Sequence, residues 1–321
     1  MRRRFLCFAL LSLLSAASHA ADKQLIRLGV MASGTLAWEL EAIQHQGLLN
    51  DAPFRLETIT LANQQAGKVA LQSGSVDLIV SDWIWVSSMR AEGADYTFSP
   101  YSNSAGGLIV EAGSPIKSLA DLKGKKLGIA GGELDKNWLL LQALGLQQGI
   151  DLNQSVEKVY GAPPLLEQQL KSHRIDALLT YWQFAARLEA DGYQQLLNGE
   201  QIIQQLGIKS PVPSLGYVFK QSWGEQHRTA LQQFLKAGQS ARNQLCSDDG
   251  AWEKIAHLTE TDNHNSQQQI RSRYCQGRIG SWTADNQQAA DQIYQLLRQL
   301  SDNKLTGKAE QIQAGSFWSA D

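Results

Sequence analysis

The chain has 321 residues, 43% of them hydrophobic and 19% charged, with 29 Lys and Arg against 31 Asp and Glu. That length is too great for one small domain and suits two lobes. The slightly acidic balance argues against a nucleic-acid partner, which needs a basic face.

The first twenty residues differ in kind from the rest. Arg2, Arg3 and Arg4 form a positive start, residues 5–14 an apolar run, and Ser18-His19-Ala20 a small-x-small cleavage site. This reads as a secretory signal peptide over residues 1–20, cleaved after Ala20, and places the protein in the periplasm. The apolar run is too short to span a bilayer, which takes about 20 apolar residues. Cys7 opens that run instead of following it, which argues against a lipid attachment site. Removing the signal removes three arginines, leaving 26 basic against 31 acidic residues, a net of −5. Two cysteines remain, Cys246 and Cys275. An even pair in an oxidising compartment reads as one disulfide, and two separate buried thiols are the other reading.

Taken in chain order, apolar runs predict strands at 26–31, 54–61, 76–80 and 96–101. Helical spacing predicts helices at 36–46, 65–73 and 83–90 between them, the first two closed by Gly47 and Gly74. This β-α-β-α-β order implies a parallel sheet with right-handed crossovers. A strand at 106–111 follows, and then the order restarts: strands at 126–130, 156–160 and 175–180, helices at 135–148, 163–172 and 183–190. Pro163-Pro164 suits a helix's first turn. The tail holds a strand at 213–220 and an amphipathic helix with Ala230, Leu231, Phe234, Leu235, Ala241 and Leu245 on one face. Helical pieces follow at 252–258 and 266–273, then a clear amphipathic helix at 286–300.

The two halves match at a constant offset of 99 residues. Leu28-Gly29-Val30 corresponds to Leu127-Gly128-Ile129, Leu71 to Asp77 corresponds to Leu170 to Asp176, and Trp83 to Trp182. Two similar α/β lobes explain this, although shared βα grammar in unrelated halves also fits.

Residues 114–130, Ser-Pro-Ile-Lys-Ser-Leu-Ala-Asp-Leu-Lys-Gly-Lys-Lys-Leu-Gly-Ile-Ala, resemble the solute-binding proteins of nitrate/sulfonate/taurine-type ABC importers. The resemblance runs from Ile26 to about Leu245. It implies an α/β fold of the two-lobed type II periplasmic binding class, each lobe a mostly parallel sheet flanked by helices. The chain would cross between lobes near residues 103–110 and 212–218, and these two strands would form the hinge. Residues 21–106 and 217–321 would form lobe one and residues 107–216 lobe two. It also implies a monomer that binds a small-molecule solute and docks on an ABC permease at the inner membrane, with no cofactor.

In two facing α/β lobes, loops at the C-terminal strand ends line the shared cleft. These are residues 32–35, 81–83, 131–134 and 180–182, with the crossover at 103–106. The ligand-binding candidates are Ser33, Thr35, Trp38, Asp82, Trp83, Asn103, Gly132, Glu133, Leu134, Tyr181 and Trp182. Glycines let backbone approach a ligand, and helix-start N–H groups bind anions. The plainer reading is tight turns, with Thr35 and Asp135 as helix caps. Trp38 and Trp138 near the starts of equivalent helices, and Trp83 and Trp182 after equivalent strands, offer facing rings that could sandwich a ligand or simply pack inward. Relatives that bind small oxyanions commonly carry hydroxyl residues after the lobe-two strand, whereas this chain has Gly132-Glu133-Leu134-Asp135. With Asp82 opposite, these acids point to a neutral or cationic solute.

No phosphate-binding loop, His-Glu-x-x-His helix or Cys-x-x-Cys pair is present, so an enzyme is not expected. His257 and His264 flank Asp262 too loosely to predict a metal. The expectation is an exported solute-binding protein for an ABC importer. The alternatives are a periplasmic sensor or accessory binding protein, and an enzyme on this fold of the thiamine-pyrimidine or menaquinone-pathway type, against which the export signal counts.

Overall fold

A five-stranded sheet, and a two-stranded and a three-stranded sheet joined by one bridge, organise the described residues. The computed structural model describes residues 23–31, 34–280 and 282–319, so the export signal and Ser33 lie outside the described residues. The first half contains β1 (Gln24–Met31), α1 (Thr35–Gln46), β2 (Phe54–Leu61), α2 (Gln64–Ser73), β3 (Ile79–Ser81), α3 (Trp83–Ala91) and β4 (Tyr96–Ser102). β5 (Gly107–Val110) then enters the second half. There follow β6 (Lys126–Ala130), α4 (Lys136–Gln147), the single turn α5 (Leu152–Ser155), β7 (Glu157–Gly161) and α6 (Pro163–Lys171). β8 (Ala177–Thr180), α7 (Trp182–Ala190), β9 (Gln194–Asn198) and α8 (Gly199–Gln205) complete it. β10 (Leu215–Lys220) returns, and the tail adds α9 (Gln221–Gln226), α10 (Arg228–Ser247), α11 (Asp249–Ile255), α12 (His264–Gln276) and α13 (Ala284–Leu300).

Lobe two is one sheet in the order β7-β6-β8-β5-β9. β6 runs parallel to β7 and β8, and β5 lies antiparallel between β8 and β9. Lobe one repeats the plan. β1 pairs in parallel with β2, β10 lies antiparallel between β3 and β4, and a parallel bridge from Leu28 to Leu78 joins the two groups. The five-stranded and three-stranded sheets are therefore each completed by the strand that follows a crossover. The inner strands read as continuous apolar runs because both faces are covered; all four residues of β5 are buried.

The 99-residue offset has a physical counterpart. The Arg27 N–H donates to the Asp77 carboxylate at 2.8 Å, and the Lys126 N–H donates to Asp176 at 2.8 Å. In return the Asp77 and Asp176 N–H groups donate to the carbonyls of Arg27 and Lys126 at 2.8 and 2.9 Å. The same aspartate clamp ties β1 to the approach to β3 and β6 to the approach to β8. This clamp shortens the strand expected at 76–80. Residues 77 and 78 spend their hydrogen bonds on β1, and ladder pairing begins at Ile79. The repeat also places Trp138 opposite Glu39, one position away from Trp38. β9, α8 and α9 lie in Gln-rich sequence whose apolar pattern is too sparse to announce them.

The tail does not rest on lobe one alone. α10 packs on α1, and Phe98 of β4 bonds to Ser316 and Trp318 at 2.9 and 2.8 Å, which returns the chain's end to lobe one. α12, however, lies along α7, and α13 lies on α4, both in lobe two. α13 presents Ala289, Ala290, Ile293, Tyr294 and Leu297 to a core shared with Leu139 and Leu140, matching its amphipathic pattern.

Cys246 of α10 and Cys275 of α12 form a disulfide with Cα atoms 5.6 Å apart, across 29 residues of sequence. Closing a loop of that size restricts the unfolded chain by about 3.6 kcal/mol. Reduction, or the paired substitution Cys246→Ala with Cys275→Ala, should therefore lower the melting temperature by several degrees. Calorimetry with and without reductant checks this, and the double variant should show no further response to reductant.

Candidate functional site in the cleft between the lobes

A cavity of about 1130 Å³ lies between the lobes. Its floor is the two crossovers, Asn103 to Gly106 and Ser210 to Leu215. Of the residues singled out from sequence, Thr35, Trp38, Trp83, Asn103, Tyr181 and Trp182 line it. Asp82, Gly132, Glu133 and Leu134 do not. Gly131 and Gly132 both take left-handed φ values, 90° and 91°, and this turn swings the loop outward so that Glu133 is exposed. The wall resumes at Asp135, Lys136 and Asn137.

The tryptophans do not form an open sandwich. Trp38 meets Trp182 edge-on with ring centroids 6.1 Å apart, and both pack on Tyr274. The Trp38 indole N–H donates to the Leu258 carbonyl at 3.0 Å. Trp83 is buried against Tyr294 and Phe317 and donates to the Pro213 carbonyl at 3.0 Å, pinning the second crossover. Trp138 is fully buried in the core. Trp182 keeps a partly exposed face, next to Tyr181 and Phe184.

The acids expected to repel an anion are engaged elsewhere. Asp82 is buried, caps α3 by accepting the Trp85 N–H at 2.9 Å, and lies 3.3 Å from the Lys136 ammonium and 4.0 Å from that of Lys68. Burial pushes its carboxyl up, but the two lysines outweigh that and hold it below the ordinary carboxylate range. Asp135 caps α4, accepting the Asn137 and Trp138 N–H groups at 2.9 and 3.1 Å, and burial raises its carboxyl. Lys136 belongs to lobe two and Asp82 to lobe one, so this ion pair spans the cleft. On the other side, Arg273 of α12 forms an ion pair with Glu189 of α7, and Arg187 reaches the Thr259 carbonyl at 3.4 Å. No group of three His, Cys, Asp or Glu suited to a metal occurs among the described residues.

Residues 42–248 match the family described as NMT1/THI5 like. The chain belongs to that family. In fold, it is similar to the periplasmic aliphatic sulphonate binding protein SsuA of Escherichia coli, with a TM-score of 0.71 at 20% identity over 89% of this chain and 94% of that one. It also resembles the desulfurization enzyme DSZB, with a TM-score of 0.57 at 16% identity over 87% and 92%. It is 31% identical to the L-cystine-binding protein TcyJ of Escherichia coli (strain K12) over 112 residues, which are 34% of this chain and span 38% of that relative's length. The arrangement of sheets and crossing strands is thus that of the two-lobed type II periplasmic binding fold.

Under the cleft of this family member lies a buried polar network that the sequence did not bring forward. Glu39 of α1 is fully buried, 2.8 Å from the Arg242 guanidinium of α10, and accepts the Tyr274 hydroxyl at 2.8 Å. Arg242 also stacks over the Tyr101 ring at 5.0 Å, and the hydroxyls of Tyr101 and Thr35, both on the cavity wall, lie 3.0 Å apart. The one sequence signal was a glutamate set among Leu36, Trp38, Leu40 and Ile43. Burial pushes the Glu39 carboxyl up to about 7, against the pull of Arg242 and Tyr274. Its folded value thus lies above the 4.5 of the free group, so between those values the folded state binds more protons than the unfolded. This group's contribution to stability should fall as pH rises from 4.5 to 7 and then level off. Melting curves across that range should slope less in Glu39→Gln than in the parent protein.

Proposed function

We propose that this protein is an exported, periplasmic solute-binding protein that captures a small organic solute between its lobes and delivers it to an ABC permease in the inner membrane. The supporting observation is a cavity of about 1130 Å³ walled by both lobes, whose sheets are linked through β5 and β10. That volume accommodates a drug-sized organic molecule. A solute touching both walls favours the closed arrangement by the difference between its contacts in the two states. The division into residues 21–106 with 217–321 and residues 107–216, acting as a monomer, follows from this reading, with the crossovers as the hinge. The names of SsuA and TcyJ, a sulphonate and a cystine binder, agree with it. A binding role is favoured over an enzymatic one because the acids on or behind the cavity wall are engaged: Asp82 and Asp135 cap helices and face Lys136, Glu260 lies 3.6 Å from the Arg187 guanidinium, and Glu200 accepts from the Gln204 side chain at 3.1 Å.

A thermal-shift screen over sulfonates, amines, pyrimidines, flavins and small aromatics should find a solute that raises the melting temperature by mass action. The same solute should compact the protein in small-angle scattering and change its tryptophan fluorescence. Trp182→Phe should lose most of that fluorescence change while still melting cooperatively. A screen in which no solute stabilises or compacts the chain overturns the proposal.

A further inference from the structure

We propose that α12 is a strap that holds the cleft closed in the absence of solute, fixed at one end to lobe one and the first crossover and gripping α7 of lobe two through Glu189. This rests on the two-lobed, hinged reading of the fold. It assigns to the chain itself part of the closure that the solute would otherwise supply.

The fixed end of α12 has three attachments. The Cys246–Cys275 disulfide ties its last turn to the last turn of α10, which packs on α1. The Tyr274 hydroxyl donates to Glu39 of α1 at 2.8 Å. Just beyond the helix, the Gly277 carbonyl accepts the Asn103 N–H at 2.9 Å. The contact at that point is close: a Cβ on Gly277 would lie 1.8 Å from the Ser104 hydroxyl oxygen. The C-terminal turn of α12 is therefore held at the pivot and on lobe one together.

The opposite face of α12 grips lobe two. Glu189 of α7 accepts the Arg273 Nε–H at 3.0 Å and the Gln269 side-chain amide at 3.2 Å on one oxygen, and a terminal Arg273 N–H on the other. This fork-to-fork pair is 25% and 15% exposed, which sets it apart from an ordinary solvated surface pair. Arg187 of α7 faces Glu260 at 3.6 Å and the Thr259 carbonyl at 3.4 Å, in the segment that leads into α12. Below these polar contacts, Trp182 and Ala186 of α7 share one apolar cluster with Ile270 and Tyr274 of α12 and Trp38 of α1. Rotation about the crossovers draws α7 away from a helix that is fixed at the pivot, so opening costs all of these contacts. A solute that fits the closed cleft then meets a binding-competent state that is already populated, which raises its apparent affinity.

Pulsed electron paramagnetic resonance on the full mature protein without solute tests this, with spin labels at Gln72→Cys in lobe one and Gln154→Cys in lobe two, both exposed positions. The labelled parent should show one dominant distance. Glu189→Ala and Arg273→Met should each shift a large share of the population to a distance several ångströms longer. Lys171→Met cuts the ion pairs to Glu167 and Asp191, which lie wholly within lobe two, and should keep the parent distance. The proposal fails if Glu189→Ala and Arg273→Met both melt cooperatively and keep the parent distance, because α12 and α7 then move as one body. It fails equally if Lys171→Met lengthens the distance as much as they do, because the effect is then a general loosening of lobe two. Should Glu189→Ala not fold, Arg273→Met decides alone. No solute enters the measurement, so its failure leaves the solute-binding reading to its own screen.

Discussion

In each lobe one sheet depends on the strand that follows a crossover. β5 fills the gap between β8 and β9, and β10 fills the gap between β3 and β4. Both lie antiparallel to neighbours that would otherwise expose backbone donors and acceptors along an inner edge, which the interior does not tolerate. The crossovers are therefore not loose linkers. They are parts of both cores, and the cleft floor is made of the residues that lead into them. Trp83 strengthens this on one side by binding the Pro213 carbonyl. Relative motion of the lobes has to be absorbed by the short stretches between sheet and crossover, around Asn103 to Gly106 and Ser210 to Ser214.

Electrostatics then sets the character of the space above that floor. Counted by type alone, Asp82, Glu133 and Asp135 make the cleft look acidic. Counted by what each carboxylate touches, two are engaged with helix ends and lysines, and the third is outside. The cations on the wall come from places a loop-centred reading passes over: Lys136 from the first turn of α4, and Arg187 from the second turn of α7. Glu39 and Arg242 show the same point at greater depth, where burial and not sequence neighbourhood decides which charge matters.

The sequence made the repeating unit legible because buried parallel strands are apolar throughout and their helices are punctuated by glycine. Gly47, Gly74 and the prolines at 163 and 164 stand at helix ends as expected. The 99-residue offset was readable through Asp77 and Asp176, each of which accepts a backbone N–H from a strand, that of Arg27 in β1 and that of Lys126 in β6. β9 and α8 were not readable: Gln194 to Gln205 has few apolar residues, and its helix is set by a reciprocal Asn198 and Gln201 cap and not by a stripe. The site was half legible. Six of the chosen residues line the cavity because strand ends do face the cleft. The loop at 132–134 misled because two successive left-handed glycines reverse its direction, and composition alone does not give a loop its direction.

The position of β10 also has a consequence for how the chain comes to be folded. All five strands of lobe two are contiguous, from Gly107 to Asn198, so that sheet can close on itself as soon as its own sequence is available. Lobe one is different. β3 and β4 end by Ser102, yet the strand that belongs between them begins at Leu215, more than a hundred residues later. Until that strand arrives, the first half of the protein holds two sheet edges open around an unfilled slot. Contacts this distant in sequence form late and slowly. The half synthesised first is therefore the half completed last, and the cleft between the lobes cannot exist before the tail has come back.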